Sequence, residues 1–281
     1  MPSNKTKDTI LILVFLFVSM AAYSISSQKG QVKGTKEELT PDAKLVFLDV
    51  GQGDAALIEQ GNVQILIDGG DGRDILNRLG EEMVLDRRIE LVILSHPDED
   101  HMGGLIKVLE NYEVERILEP SIACDKDICE RWESLKSEKK TPSTAAKLGQ
   151  DIRFGDDIDI AVLYPFEDLS GKEFDNANEA SLVLMADVEG RKYLLTGDTD
   201  KETEEALIAS NISLDADVLK ISHHGSKSAT SAAFLEVVTP ETAVISVGEN
   251  SYGHTSEELL TRLRNMNVNI LRTDEAGNII F

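Results

Sequence analysis

The sequence predicts an α/β fold in which two β-sheets form a layered sandwich flanked by helices. Both halves of the chain open with short apolar runs that are typical of strands. Each half then continues as apolar runs alternating with amphipathic, helix-length segments. Such a pattern favours sheets that each cover one face with helices. The 281 residues are enough for one large domain or two small ones.

The predicted elements begin near residue 43. The first half has strands at 44–50, 55–59, 63–67, 89–94 and 114–118, with helices at 73–79, 105–109 and 126–139 and a turn at 140–143. The second half has two strands within 152–164, a polar loop at 166–177, strands at 181–186, 192–196, 217–221, 242–246 and 268–272, and helices at 202–209, 231–237 and 256–266. The folded domain is therefore expected to span residues 43–281.

Residues 1–25 are predicted to form a signal peptide or a membrane anchor. The run Ile10–Val18 is strongly apolar, and small residues at 22 and 24 offer a cleavage site. The uncharged stretch from Thr9 to Gln28 is also just long enough to span a bilayer uncleaved, which takes about 20 residues. Residues 26–42 are polar and aperiodic, which predicts a linker. We expect the domain to lie outside the cytoplasm, either anchored or secreted.

The charge balance argues against one class of function. The chain has 28 Lys and Arg against 51 Asp and Glu, a formal net charge of −23. Such a surface repels a phosphate backbone, so broad, salt-dependent binding of nucleic acid is not expected. One strand can still enter a metal site, because bound cations invert the local field.

The two cysteines, Cys124 and Cys129, lie close together. In an exported chain this spacing favours a disulfide that closes a small loop. Two free thiols are the alternative, and a metal pair is disfavoured because no histidine lies nearby. We expect the pair to carry no chemistry.

The segment from Ser95 to Gly104 predicts a metal site. It follows a buried strand, precedes a helix, and places two histidines and two aspartates within six residues: His96, Asp98, Asp100 and His101. Imidazole and carboxylate are the common ligands of divalent transition metals. A polar turn in which Asp100 caps the helix is the alternative, but it leaves the paired histidines and the Gly-Gly unexplained.

Three more polar groups end apolar strands. Asp68 follows the strand at 63–67, Asp198 follows 192–196, and His223 follows 217–221. Loops at the same edge of a rigid sheet can converge on one point. Each signal is weak alone, since Gly-Asp after a strand is commonly a turn. Together with the metal loop they predict one shared site.

The metal loop resembles the His-x-His-x-Asp-His signature of the metallo-β-lactamase fold, with Asp98 in place of the second histidine. Further stretches resemble one branch of that fold, the hydrolase domain of ComEC-like competence proteins, in its stand-alone form. They are Phe47–Asp54, Ile67–Gly70, Asn178–Val183, Leu194–Asp198, Leu219–Ser226 and Ser246–His254. The resemblance implies a four-layer αββα sandwich. The sequence shows one apolar segment rather than a many-helix membrane channel, so DNA uptake is not expected to carry over.

The resemblance also implies a dinuclear metal site. In that site His96 and Asp98 hold one ion, Asp100 and His101 hold the other, Asp198 bridges them, and His223 completes the coordination of the second ion. His224 could exchange roles with His223, and Asn178 is a further candidate ligand. Asp54 and Asp68 are expected to orient ligands. His254 is a candidate substrate contact or proton donor, the alternative being a histidine of a surface loop.

These residues predict a metal-dependent hydrolase. Two divalent ions would activate water as hydroxide, which Asp100 can orient, and would polarise the scissile bond. The oxygen-rich ligand set favours Mn²⁺, with Zn²⁺ as the alternative. The favoured substrate is a phosphodiester, either a small molecule or nucleic acid. The alternatives are an extracytoplasmic esterase, lactonase or amidase, or a non-catalytic binding domain. No protein partner is indicated, and contact with a membrane is expected only through an uncleaved N-terminal segment.

Overall fold

The computed structural model describes residues 41–84 and 86–281. The predicted signal peptide or anchor, and the linker up to residue 40, lie outside these residues. Within the described ranges, no helix is both long and apolar enough to cross a membrane.

The described residues contain sixteen strands and seven α-helices. The strands are β1 (Lys44–Phe47), β2 (Ala56–Gln60), β3 (Val63–Ile67), β4 (Arg88–Ile89), β5 (Leu91–Ile93), β6 (Glu113–Val114), β7 (Ile117–Glu119), β8 (Ser143–Ala145), β9 (Asp151–Phe154), β10 (Ile158–Tyr164), β11 (Val183–Val188), β12 (Arg191–Leu195), β13 (Val218–Lys220), β14 (Thr242–Ile245), β15 (Asn269–Arg272) and β16 (Ile279–Ile280). The helices are α1 (Ile75–Glu82), α2 (Glu99–Asn111), α3 (Asp127–Lys139), α4 (Lys201–Ala209), α5 (Ala232–Val238), α6 (Glu257–Asn265) and α7 (Thr273–Ala276).

Two seven-stranded sheets face each other. The first has the order β16-β1-β2-β3-β5-β7-β8, and the second has the order β15-β14-β13-β12-β11-β10-β9. A short parallel pair, β4 with β6, lies beside them. The C-terminal β16 joins the first sheet by antiparallel pairing with β1, with Val46 opposite Ile280. Strands β16 and β8 were not predicted, because each is too short to show an apolar pattern.

Three apolar layers separate the helices and sheets. On β1, Leu45 and Phe47 pack between the two sheets, while Val46 packs under the helices on the outer face. This is the two-residue alternation of a strand buried on both faces. Helices α1 to α3 cover the first sheet, and α4 to α6 cover the second. The predicted four-layer αββα sandwich is confirmed.

The helix after the metal loop differs from the prediction. It begins at Glu99 rather than at residue 105, so Asp100 and His101 lie in its first turn. The polar start hid the helix, because apolar periodicity becomes visible only from Met102 onward. As a result, the first turn of α2 itself carries candidate ligands.

The predicted disulfide between Cys124 and Cys129 is present. It closes the segment that leads into α3, and Cys129 is buried in the outer core of the first sheet together with Trp132. The segment is therefore attached to the core at its C-terminal end.

Parallel strands bring the candidate residues to one edge. β3 pairs in parallel with β5, and β12, β13 and β14 are parallel neighbours in the other sheet. Asp68, His96, Asp198 and His223 each follow the carboxyl end of one of these strands. The loops at these ends form one rim across the two sheets.

Candidate metal centre

The metal loop is held against the loop that follows β3. The Gly104 amide donates to Gly70 O at 2.9 Å, and the Gly69 amide donates to His101 O at 2.9 Å. A Cβ atom on Gly104 would collide with the carbonyl of Gly69. The glycine pair that the sequence left without a role is therefore what lets the first turns of α2 approach this loop.

Asp98 occupies the N-cap position of α2, but its side chain makes no capping hydrogen bond. Asp100, two residues further, lies within the first turn of the helix. The alternative in which Asp100 caps the helix is therefore wrong. Both carboxylates lie instead on the wall of a cavity.

Three buried histidines share one arrangement of their ring nitrogens. Nδ1 of His101 lies 2.9 Å from Asp68 Oδ2, Nδ1 of His224 lies 3.0 Å from Ser246 O, and Nδ1 of His96 lies 3.0 Å from Ser95 Oγ. Within the described part of the chain, Nε2 of each ring is buried without a hydrogen-bond partner. A paired Nδ1 and a free Nε2 are what a metal-ligating histidine requires.

His223 and His224 differ in position although they are adjacent. Both have left-handed backbone torsions, with φ values of 50° and 51°, which is uncommon for residues other than glycine and often found at functional sites. The turn directs His224 inward, where 2% of its side chain is exposed, and leaves 39% of the His223 side chain exposed. The inner position thus belongs to His224, which differs from the expectation that favoured His223.

Asp198 lies between two of the histidines. Its Oδ1 is 3.3 Å from His101 Nε2, and its Oδ2 is 3.5 Å from His224 Nε2. His224 Nε2 also lies 3.2 Å from Asp100 Oδ2, and His96 Nε2 lies 3.6 Å from Asp98 Oδ2. The backbone amide of Asp198 donates to Ser181 Oγ at 3.0 Å, which helps to fix the carboxylate.

The candidate ligand atoms form two overlapping groups. One group is His96, His101 and Asp198, the other is Asp54, His101 and His224, and the atoms within each lie within 4.8 Å of one another. Buried nitrogens and carboxylate oxygens this close fit divalent metal ions. The prediction of a metal-binding cluster at this rim agrees with these groups.

The charges of the cluster favour a cation. Burial raises the pKa of Asp198, but the His224 and His101 imidazoles hold that pKa well below its usual range. Burial lowers the pKa of His101 and His224, yet nearby carboxylates, Asp198 foremost, raise both well above the ordinary value. The carboxylates therefore remain ionised and create a negative potential in which positive charge is stabilised.

Asp54 and Asp68 support the histidines from behind. Asp68 accepts from the backbone amide and the hydroxyl of Ser95, at 2.7 and 2.6 Å. Asp54 forms a buried ion pair with Lys220 at 2.7 Å and lies 3.2 Å from His224 Nδ1. Burial opposes ionisation of Asp54, but the Lys220 ammonium and then His224 lower its pKa to about 2.

A cavity of about 550 Å³ opens onto the cluster. Asp98, Asp100, Asn178 and Asp198 line its floor and walls together with both adjacent histidines. His254 and Tyr252 also line the cavity, and 75% of Tyr252 is exposed. Burial and the neighbouring His223 lower the pKa of His254, which favours its neutral form.

Sequence reasoning missed several residues of this region. Ser95 and Lys220 contact the supporting aspartates, and Lys126 donates to Asp98 Oδ1 at 2.6 Å. Ser95 directly precedes the metal loop, and Lys220 is a charged residue inside an otherwise apolar strand, so both carried a local signal. Lys126 carried none, because its contact spans 28 residues.

Comparison with known families identifies the fold family. Residues 48–249 match the family model described as the metallo-beta-lactamase superfamily. The chain belongs to this superfamily. As a member it is a metal-dependent hydrolase by class, as the sequence predicted, and its candidate ligands lie in the loops described above.

Curated relatives point to the competence branch of the superfamily. The chain is 30% identical to ComE operon protein 3 of Bacillus subtilis (strain 168), over 86% of this chain and 33% of the relative. It is 31% identical to competence protein ComA of Neisseria gonorrhoeae, over 85% of this chain and 32% of that protein. The predicted resemblance to ComEC-like proteins is confirmed, and the chain spans about a third of the length of these relatives.

Solved structures agree on the fold. The metallo-beta-lactamase fold protein YhfI from Bacillus subtilis matches with a TM-score of 0.57 and 13% identity, over 85% of this chain and 99% of that protein. A diphosphatase of the PhnP family matches with a TM-score of 0.51 and 12% identity, over 85% of this chain and 97% of that one. At such identities these likenesses establish the fold alone.

Proposed function

We propose that this chain is a phosphodiesterase that uses two divalent metal ions and acts outside the cytoplasm. The observation that carries the proposal is the convergence of three buried histidine Nε2 atoms, without hydrogen-bond partners among the described residues, on the carboxylates of Asp98, Asp100 and Asp198. This donor set is built for cations, and it opens onto a cavity large enough for a substrate.

We assign the ligands by position around Asp198. His96 and Asp98 would hold one ion, Asp100 and His101 would hold the other, and Asp198, whose oxygens lie near His101 and His224, would be shared between them. His224 completes the second site in place of His223, because its Nε2 faces Asp100 and Asp198 from a buried position. Asn178 stays a further candidate, since its Oδ1 is buried without a partner among the described residues.

Bound ions would supply an activated water and would polarise a phosphoryl oxygen. Side chains of the protein would orient the water and contact the substrate. Asp100, one-third exposed to the cavity, can accept a hydrogen bond from the attacking water and orient it. His254 and His223 both line the cavity, with ring centroids 5.3 Å apart. Because the pKa of His254 is lowered, we favour a hydrogen-bonding contact with substrate for this residue over the role of proton donor.

Two features favour a nucleic-acid phosphodiester as substrate. The relatives include proteins named for competence, and one of Haemophilus influenzae is named recombination protein 2, at 28% identity. Tyr252 presents an exposed ring at the mouth of the cavity. An exposed aromatic ring can stack on any base of a single strand without reading its sequence.

The location outside the cytoplasm is supported by the disulfide between Cys124 and Cys129, since disulfides persist in oxidising compartments. The apolar N-terminal segment agrees with export. For the metal we favour Mn²⁺ over Zn²⁺, because the assigned ligands Asp98, Asp100 and Asp198 offer carboxylate oxygens and the further candidate Asn178 would add an amide oxygen.

The test is a substrate panel with the full chain. Bis(p-nitrophenyl) phosphate, single-stranded DNA, a lactone and a β-lactam are each assayed with Mn²⁺, with Zn²⁺ and with a chelator. We expect hydrolysis of both phosphodiesters, greatest with Mn²⁺, and its loss in Asp198→Ala. Tyr252→Ala should raise the KM for DNA and leave the KM for the small diester unchanged. Tyr252→Trp, which keeps an aromatic ring, should have a KM for DNA close to that of the wild type.

Other outcomes decide against the proposal. Hydrolysis of the lactone or the β-lactam without phosphodiester cleavage would indicate an esterase, lactonase or amidase. Metal-loaded protein that behaves like Asp198→Ala on every substrate would indicate a binding domain. A preparation that retains only zinc, with no gain from manganese, would overturn the metal preference alone.

A further inference from the structure

The two oxygens of Asp98 face different partners. Oδ2 lies 3.6 Å from His96 Nε2, on the side of the candidate metal centre. Oδ1 accepts from Lys126 Nζ at 2.6 Å. Because the ammonium occupies one oxygen, this carboxylate offers a single oxygen to an ion. The Asp98 side chain is 32% exposed, about as much as that of Asp100, whereas His96 and His101 are fully buried.

The backbone at Lys126 is held from both directions. Lys126 is the N-cap residue of α3, and its carbonyl accepts from the amides of Cys129 and Glu130 at 2.9 and 3.2 Å. The disulfide closes the six-residue segment that contains Lys126, and its Cys129 end is buried beside Trp132. The lysine stem therefore starts from a fixed point, although 53% of the side chain is exposed.

The pair also balances charge. Asp98 stands where the resembling signature has a histidine, so it adds a negative charge to a cluster that already holds Asp54, Asp100 and Asp198. The Lys126 ammonium compensates that charge from the side facing away from the centre. A carboxylate that is hydrogen-bonded on its outer oxygen keeps one orientation toward a metal, and loss of such support commonly weakens metal binding.

We propose that Lys126 is a positioning residue of the metal centre, held in place by the Cys124–Cys129 disulfide, which fixes Asp98 as a ligand through one oxygen. The proposal rests on the proposed function in one respect, the assignment of Asp98 as a ligand. It adds a role for the disulfide, which the sequence led us to regard as without chemistry.

The test measures metal binding directly, by titrating Mn²⁺ and Zn²⁺ into the metal-stripped full chain in a calorimeter. Lys126→Met should weaken the binding of one of the two ions by about 10- to 100-fold, the usual effect of losing such support. Lys126→Arg keeps a charged donor and should bind within a few-fold of the wild type. Lys107→Met, which removes an exposed lysine of α2 that pairs with Glu110, is the matched control and should bind like the wild type.

The disulfide is tested by a double-mutant cycle. Replacing both cysteines by serine should weaken the binding of the same ion. This effect should disappear when Lys126 is already replaced by methionine. Equal losses in both backgrounds would show that the disulfide acts only on general stability.

The outcomes separate the two levels of the proposal. A wild-type chain that binds no metal overturns the proposed function. A wild-type chain that binds two ions, with Lys126→Met binding both equally well or more tightly, overturns the role of Lys126 and leaves the function standing. Failure of Lys126→Arg to restore binding also overturns that role.

Discussion

Asp68 connects three parts of the metal loop through one carboxylate. It accepts from the amide and hydroxyl of Ser95 and pairs with Nδ1 of His101. Its backbone is in the left-handed region, with φ of 57°, and its own amide donates to Ile93 O at 2.9 Å. The orientation of His101, in the first turn of α2, therefore depends on a residue of the loop after β3.

We predict that Asp68→Asn weakens metal binding by about 10- to 100-fold. The amide cannot accept from Ser95 and His101 with both of its polar atoms, so the ring loses its fixed orientation. Calorimetric titration with Mn²⁺ measures the effect. Asp156→Asn, at an exposed turn, is the control and should bind normally. Equal affinities for the wild type and Asp68→Asn would contradict the orienting role.

Individual ligand positions differ in how well the sequence predicts them. His96, Asp98, Asp100 and His101 belong to one loop, so their spacing alone identifies them as a set. The choice between His223 and His224 depends on two consecutive left-handed residues, which no local pattern announces. Lys126 reaches Asp98 only because α3 packs on α2, a contact between distant segments.

The first turns of α2 depend on close backbone packing rather than on side chains. Gly103 and Gly104 face the backbone of Asp71 and Gly69, where a Cβ atom has no room. This packing places His101 beneath the centre and leaves Asp98 and Asp100 at its edge. The position of an entire helix thus follows from two missing side chains.

We predict that Gly104→Ala lowers the free energy of unfolding by about 1–3 kcal/mol, because the added methyl group overpacks a backbone contact. Urea unfolding measures the loss, and metal titration should show weaker binding. Gly80→Ala in α1 is the matched control, since a Cβ there meets nothing within 4 Å. That change should be neutral or stabilise the chain by up to about 1 kcal/mol. Similar losses in both variants would contradict the packing explanation.

Helices α4 and α5 are joined by a buried carboxylate. Glu204 accepts from the amides of Thr230 and Ser231, the two residues directly before α5. Burial raises its pKa above the ordinary value of 4.5, despite these two donors. A carboxyl group with a raised pKa in the folded state stabilises the fold most while it is protonated.

The sign of the pH effect follows from this shift. Below pH 4.5 the group is protonated in both states, and stability is lost as the pH rises through the higher pKa of the folded state. We predict that the difference in unfolding free energy between the wild type and Glu204→Gln declines as the pH rises above 4.5 and through the raised pKa of the folded state. Urea unfolding in a chelator measures it. Glu205→Gln, an exposed neighbour, should show no such trend, and a difference that is constant with pH would contradict the prediction.

The candidate metal centre joins the two halves of the molecule. The loops after β3 and β5 contribute from the first sheet, and the loops after β12 and β13 contribute from the second. An ion bound there would contact both sheets, and it would bind only the folded chain. Metal binding and folding stability are therefore linked.

We predict that metal removal lowers the stability of the chain. With free metal at about 100 times its Kd, the loss on chelation is about 2.7 kcal/mol per site. Thermal unfolding with and without a chelator measures it. In Asp198→Ala, which removes the shared carboxylate, the chelator should have little effect. A wild-type chain that unfolds identically in both conditions would show that no metal bridges the sheets.

Local residue patterns were sufficient for the fold class, the metal loop and the strand-end aspartates. The alternation of apolar residues in strands, the residue spacing of the metal loop, and the polar residues at the ends of apolar strands are each visible within a short stretch of sequence. They could be recognised because each depends on neighbours in sequence. The same information predicted the disulfide, whose cysteines are separated by five positions.

Contacts between distant segments decided the remaining features. They include the pairing of β16 with β1, the inward turn of His224, and the support of Asp98 by Lys126. Each depends on where separate elements lie after the two sheets and their helices have packed. The physical reason is that burial and electrostatic pairing at the centre are properties of the assembled sandwich, which no short stretch of the chain contains.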